Sequence, residues 1–267
     1  MNPRPVALIT GASGGIGEEL ARILAQHGHE LVLVVRSGDR LAALAQEIAV
    51  AGRPRPLTLA LDLSKADAIP ILERALADAG LVPNILINNA GFGLIGSAAE
   101  LDRAEQIEMI DLNIRALTDL TLRFLPQIRT TRGRIMNVSS IASFLPGPGM
   151  AVYYATKAYV TSFSEALWQE MRGSGVTVTA LCPGVTATGF GLRAGFDEAL
   201  VKHMPAMTAR AVAEIGYRAM MKGKRRAVTG FFNQLMVTTM PLTPRTLLLP
   251  LLDQLMKKRK GRRRPTP

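Results

Sequence analysis

The chain has 267 residues, 48% apolar and 20% charged, a balance that suits one soluble globular core and demands no second domain. Its single cysteine, Cys182, excludes an internal disulfide and points to a reducing, cytoplasmic setting. The net charge of +11 is concentrated in "KKRKGRRR" at 257 to 264, and the rest of the chain is only mildly basic. No aromatic residue interleaves with these basic ones, so specific nucleic-acid binding is not expected.

The first residues, "MNPRPVALIT", pass straight into a short strand-like run without a leader-like apolar segment of about 7 to 15 residues, and the chain reads as unprocessed. Six runs are nearly continuously apolar or β-branched: "VALIT" (6 to 10), "LVLVV" (31 to 35), "LTLAL" (57 to 61), "NILIN" (84 to 88), "RIMNVS" (134 to 139) and "VTVTAL" (176 to 181). Strands of this kind are covered on both faces, as in a parallel sheet. Between them lie amphipathic stretches such as "GIGEELARILAQHG" (15 to 28) and "DRLAALAQEIAVAG" (39 to 52), the second ending in a glycine stop. The alternation predicts right-handed crossovers and a doubly wound α/β sandwich. A mobile substrate loop with short helices is expected near 186 to 207, then a helix near 208 to 222 and a closing strand near 227 to 229. The catalytic domain is placed at 1 to 231. The remainder, 232 to 267, is an apolar helical extension with a basic tail, either part of that domain or an appendage. Its prolines and charges interrupt the run of about 20 residues that a membrane span needs.

The glycine-rich "TGASGGIG" (10 to 17) follows the first strand and opens the first helix. There, backbone N–H groups and a helix N-terminus converge on a pyrophosphate. Gly11 permits the tight turn, Gly15 lets the backbone approach the phosphates, and Gly17 allows close helix packing. A purely structural turn is the alternative.

The spacing T-G-x-x-x-G-x-G resembles the short-chain dehydrogenase/reductase family. "NNAG" (88 to 91), "NVSS" (137 to 140), Y-x-x-x-K at Tyr153 and Lys157, and the P-G-x-x-x-T of "CPGVTAT" (182 to 188) continue the resemblance in order over about two thirds of the chain. It implies a single-domain Rossmann-type sheet of about seven parallel strands, order 3-2-1-4-5-6-7, with helices on both faces. It also implies that Ser13 and Ile16 join the three glycines at the cofactor. Asp62, with Leu63 beside it, would meet the adenine. Asn89, Ala90 and Gly91 would lie under the adenosine ribose, and Pro183, Gly184, Val185 and Thr188 at the nicotinamide.

NAD-preferring family members end the second strand with an acidic residue, where this chain has Val35 followed by Arg36. A guanidinium engages the extra phosphate of NADP where a carboxylate would repel it. NADP(H) is therefore expected over NAD, with Ser37 and Arg40 as helpers; a solvated surface arginine is the alternative.

The resemblance makes Tyr153 the general acid in reduction and base in oxidation. Lys157 would lower its pKa and hold the nicotinamide ribose, Ser140 would orient the substrate carbonyl, and Asn113 would bind a water linking Lys157 to solvent. Bringing a tyrosine from roughly 10 to about 7 takes about 4 kcal/mol, the order that one ammonium about 4 Å away supplies. Tyr154 lies i+3 from Lys157 as Tyr153 lies i+4, and only the motif frame chooses Tyr153. His27, His29 and His203 show no metal-ligand spacing, and no metal is expected.

Phe92, Ile141, Phe144, Leu145, Met150 and Phe190 are expected to wall an apolar pocket for a hydrophobic carbonyl or alcohol. A homodimer or homotetramer is implied, paired through the helices carrying Asn113 and Tyr153. The segment 232 to 264 suggests a further oligomer contact or a peripheral membrane attachment. An NADP-binding regulatory or scaffold protein without turnover is the competing reading.

Overall fold

The six continuous apolar runs all become strands of one parallel sheet, five of them inner and one at its edge. The computed structural model describes residues 3–36, 39–199, 205–240 and 243–259, with the backbone alone for 39, 40 and 257–259. Seven strands stand side by side: β3 (Leu57–Ala60), β2 (Leu31–Val35), β1 (Arg4–Thr10), β4 (Leu81–Asn88), β5 (Arg134–Val138), β6 (Thr177–Cys182) and β9 (Arg226–Val228). This is the expected order. The seventh strand in space is the ninth in the chain because β7 (Thr186–Ala187) and β8 (Met207–Thr208) form a separate two-residue pair.

All five residues of β2 are buried because the sheet is covered on both faces. Leu31, Leu33 and Val35 point to one side with Ala7 and Ile9; there they meet α1 (Gly15–Gln26), α2 (Asp39–Val50) and α8 (Ala209–Met221). Val32 and Val34 point to the other side with Val6 and Leu8, against α3 (Ala68–Asp78), α5 (Leu117–Thr130) and α6 (Ala151–Glu170). The period of two along each strand thus sorts its side chains into two cores.

Three further features bear on the site, and the first of them was not foreseen. Between α4 (Arg103–Ile110) and α5 the helix widens into a π turn, Asp111–Ala116, containing Asn113. The loop after β6 carries the short α7 (Phe190–Ala194) and is drawn together at its ends by the β7–β8 pair. Two helices, α9 (Phe231–Thr239) and α10 (Arg245–Arg259), form the C-terminal extension. Met256 of α10 packs in a third apolar cluster with Phe92, Met150 and Tyr153.

Candidate active site

The glycine turn is held from below by Thr10 and Asn89. The Thr10 hydroxyl accepts from the backbone N–H of Asn89 and of Ala90, both at 3.0 Å. The Asn89 amide donates to Thr10 O at 3.0 Å and Gly11 O at 2.9 Å. This close approach explains the glycines. A Cβ on Gly11, at φ +70, would lie 2.8 Å from Ala90 Cα, and one on Gly17 would overlap Asn89 Nδ2 and Gly11 O. Gly15, at φ +58, faces Thr188, whose Cγ2 would be 2.8 Å from an added Cβ. No side chain caps the N-terminus of α1, so its first N–H groups are left for an anionic ligand.

Gly11, Ser13, Gly15, Ile16, Arg36, Asp62, Leu63, Asn89, Ala90 and Gly91 border one cleft of about 1170 Å³ with Ser140, Tyr153, Lys157, Pro183, Gly184, Val185 and Thr188. A dinucleotide fits this cradle: a bare helix N-terminus, backbone uncovered by side chains, and a carboxylate further along. Burial pushes the Asp62 carboxyl up, but hydrogen bonds from Ser64 Oγ (2.7 Å) and Ser64 N (3.0 Å), with Lys65 and Arg36 nearby, outweigh it and hold the group below the usual range. Arg36 is exposed, and its guanidinium stands 3.9 Å from Glu108. Ser37 and the side chain of Arg40 lie outside the described residues. Gly17 does not border the cleft; it sits buried behind the turn.

The four residues of the expected proton-transfer set come from different elements. Ser140 follows β5, and its Oγ caps the short turn Ile141–Phe144 by accepting from Ala142 N at 3.1 Å. Tyr153 and Lys157 stand one turn apart on α6, both buried, with Lys157 Nζ 5.9 Å from the Tyr153 ring centroid. Nζ donates to Val138 O at 2.8 Å, which ties the lysine to the end of β5. Asn113 lies behind the cleft wall. Its Nδ2 donates to Phe92 O (2.9 Å) and Thr156 Oγ1 (3.1 Å), and its Oδ1 accepts from Phe92 N (3.1 Å). A Cβ on Gly91 would lie 2.8 Å from that Oδ1 and 3.5 Å from Lys157 Nζ. The bare α-carbon of Gly91 therefore separates the two groups by little.

The electrostatics differ from the expectation that Lys157 draws Tyr153 down. Burial pushes the phenol well above its ordinary value, and a hydrogen bond with Ser140 only partly offsets this. Burial likewise lowers Lys157 to about 8. Two groups removed from water both favour their neutral forms. The ammonium, already held by Val138 O, does not reverse that for the tyrosine.

The apolar wall also differs in part. Ile141, Met150 and Phe190 border the cleft, with Tyr154, Phe196 and Met256, whereas Phe144 and Leu145 do not. The turn after Ser140 carries Phe144 away, under the Arg226 guanidinium 5.0 Å from its ring centroid. Phe92 is buried behind the cleft beneath Arg193, whose guanidinium lies 4.6 Å from the ring centroid. Tyr154 packs across Gly147, where a Cβ would overlap its ring, and stands edge-on to Tyr153 at 6.1 Å.

Thr156, Arg193 and Met256 escaped the sequence reading. Thr156 lies inside "YYATK" and its hydroxyl also donates to Tyr153 O at 2.7 Å, so i+3 spacing was a usable signal. Met256, over a hundred residues from Tyr153, left none. Among the described residues no cluster of His, Cys, Asp or Glu could hold a metal.

Residues 5–198 match the family model described as short chain dehydrogenase. Sulfoacetaldehyde reductase of Chromohalobacter salexigens is 38% identical over 214 residues, 77% of this chain and 84% of that protein. Human very-long-chain 3-oxoacyl-CoA reductase is 35% identical over 188 residues, 68% of this chain and 59% of that one. A short-chain dehydrogenase from Sphingobium yanoikuyae, solved in complex with NADPH, is 31% identical and superposes with a TM-score of 0.79, covering 97% of this chain and 98% of that chain.

Proposed function

Because the chain belongs to the short-chain dehydrogenase family, and is with it an oxidoreductase of alcohol and carbonyl groups, we propose that it uses NADP(H) to interconvert a hydrophobic ketone or aldehyde and its alcohol. The observation that carries this reading is that Ser140, Tyr153 and Lys157 open on the same cleft as the uncapped helix and glycine turn. The bound nicotinamide supplies or accepts the hydride. In reduction the Tyr153 hydroxyl gives its proton to the carbonyl oxygen as the carbon gains hydride, so the oxygen stays on carbon as the hydroxyl of the product alcohol. A phenol held protonated by burial is the form this step needs. Ser140 Oγ orients the carbonyl oxygen, and Lys157 places positive charge where the phenolate forms. Proton return runs past Gly91, where Asn113 Oδ1 and Lys157 Nζ come together.

Arg36, exposed at the cleft edge beyond β2, supports NADP over NAD, as does the NADPH bound by the Sphingobium protein. The relatives' names span a small sulfonated aldehyde and a long acyl thioester, so the hydrophobic substrate rests on Met150, Phe190 and Met256 in this chain. In this reading Met256 joins the catalytic unit, since it walls the cleft. Exposed Leu122 and Tyr159 on α5 and α6 support pairing of copies through those helices.

NADPH oxidation against a panel of apolar ketones tests the proposal. Tyr153→Phe should lower turnover about 10²- to 10⁴-fold without weakening NADPH binding. Binding without any Tyr153-dependent turnover would leave a regulatory NADP-binding protein instead. Arg36→Ala should weaken NADPH roughly 10- to 100-fold and NADH hardly at all; equal losses would remove the NADP assignment.

A further inference from the structure

The C-terminal helix α10 has two apolar faces and only one is covered. Leu248, Leu252 and Met256, spaced by four, are buried against the body of the protein, and Met256 reaches the catalytic cleft. A Cβ on Gly149 would lie 3.2 Å from Met256 Cβ, so the helix lies tightly on the segment leading into α6. Leu247, Leu251 and Leu255 repeat the same spacing one residue earlier and stand 69%, 55% and 42% exposed. On the preceding helix Phe231 and Phe232 are 78% and 82% exposed, while Asn233 anchors that helix through Thr229 O at 2.7 Å.

We propose that the outer face of α10 is a peripheral attachment to anionic lipid surfaces. Charge complementarity selects this occupant. The sequence after Met256 supplies seven basic residues in eight positions, and no acidic residue occurs between Gln254 and Pro267. A leucine stripe running into a polybasic stretch matches a surface that is apolar below and anionic at the headgroups. The helix lies on the membrane and does not cross it. Its 15 residues span only about 22 Å, short of the roughly 30 Å hydrocarbon layer, and no described helix is long and apolar enough to cross. Because the opposite face of the same helix walls the cleft, attachment would hold the active site beside the lipid. The proposal is independent of cofactor and substrate assignments.

Flotation of the full chain with phosphatidylcholine vesicles, with and without phosphatidylglycerol, tests it. The wild type should float with phosphatidylglycerol vesicles, stay behind with phosphatidylcholine alone, and be released by added salt. Leu247→Ser, Leu251→Ser and Leu255→Ser combined should reduce binding roughly tenfold or more, with turnover of a soluble ketone and molecular mass unchanged. Should that variant fold poorly, Lys257→Gln, Lys258→Gln, Arg262→Gln and Arg263→Gln combined should show a comparable loss. Wild-type protein that ignores phosphatidylglycerol would overturn the proposal, as would a variant that binds undiminished. A stripe variant that falls to a smaller oligomer would assign the face to a second copy instead.

Discussion

The two sides of the cleft are made of different material. The cofactor side is bare backbone at Gly11 and Gly15, with Gly17 packed behind them and Thr10 and Asn89 bracing the turn, over a span in which an added carbon meets another atom. The substrate side is made of large side chains, Met150, Tyr154, Phe190, Phe196 and Met256, drawn from three separate segments. A wall of backbone leaves no latitude, whereas a wall of flexible apolar side chains accepts exchange at small cost. The same framework can thus keep one cofactor geometry while side chains of the opposite wall are exchanged.

Substitutions on each side should break or sharpen that contrast. Gly17→Ala should be the most damaging, because both atoms in its way are hydrogen-bonded to each other. A loss of about 3 kcal/mol in urea unfolding, with NADPH binding abolished, is expected. A near-neutral result would mean the turn is looser than its hydrogen bonds imply.

Lys157 comes next and is read through pH. It is held at about 8 against 10.5 for an exposed lysine. Between those values the unfolded chain binds a proton that the folded one does not, so this residue's contribution makes stability rise with pH through that window. From about pH 7.5 to 9.5 the wild type should gain about 2 kcal/mol relative to Lys157→Met in paired denaturation curves. The absence of any relative gain over that range would show that the folded lysine keeps its proton.

Smaller effects belong to the substrate side. Gly147→Ala pushes on the Tyr154 ring, which can swing toward the cleft, and about 1 kcal/mol is expected together with a changed KM for bulky ketones. Tyr154→Phe should change kcat less than about tenfold, far below the Tyr153→Phe effect. A comparable collapse in both variants would undo the division of labour between the adjacent tyrosines.

The same contrast explains what was legible in the sequence. The strand, turn and helix around Gly11 to Gly17 are local, so their residues appear together and their geometry follows from glycine's freedom. The parallel sheet could be anticipated because its inner strands are covered on both faces and read as apolar runs, whereas the strand order needed the family frame. Choosing Tyr153 over Tyr154 needed the family frame, since both meet Lys157 by helical spacing. Phe144 was placed in the wall by its nearness to Ser140, but the turn between them points it at Arg226. Met256 enters from the end of the chain, and periodicity cannot announce a contact of that range. The pKa of Tyr153 was misjudged because the attraction of one ammonium was weighed without the burial of both partners.

The π turn at Asp111–Ala116 makes chain length itself a determinant of this site. It holds one residue more than an α-helical path would, worth roughly 100° of rotation. The wide turn absorbs that surplus residue, so α4 and α5 keep the phase of one continuous α spiral on either side of it. Deleting Leu112 would close the turn to ordinary α geometry, leaving Met109 in the core while moving Asn113 off the heading from which it bonds Phe92 and Thr156. One residue in the count thus positions Asn113, and its loss would be felt at the site and not along the helix.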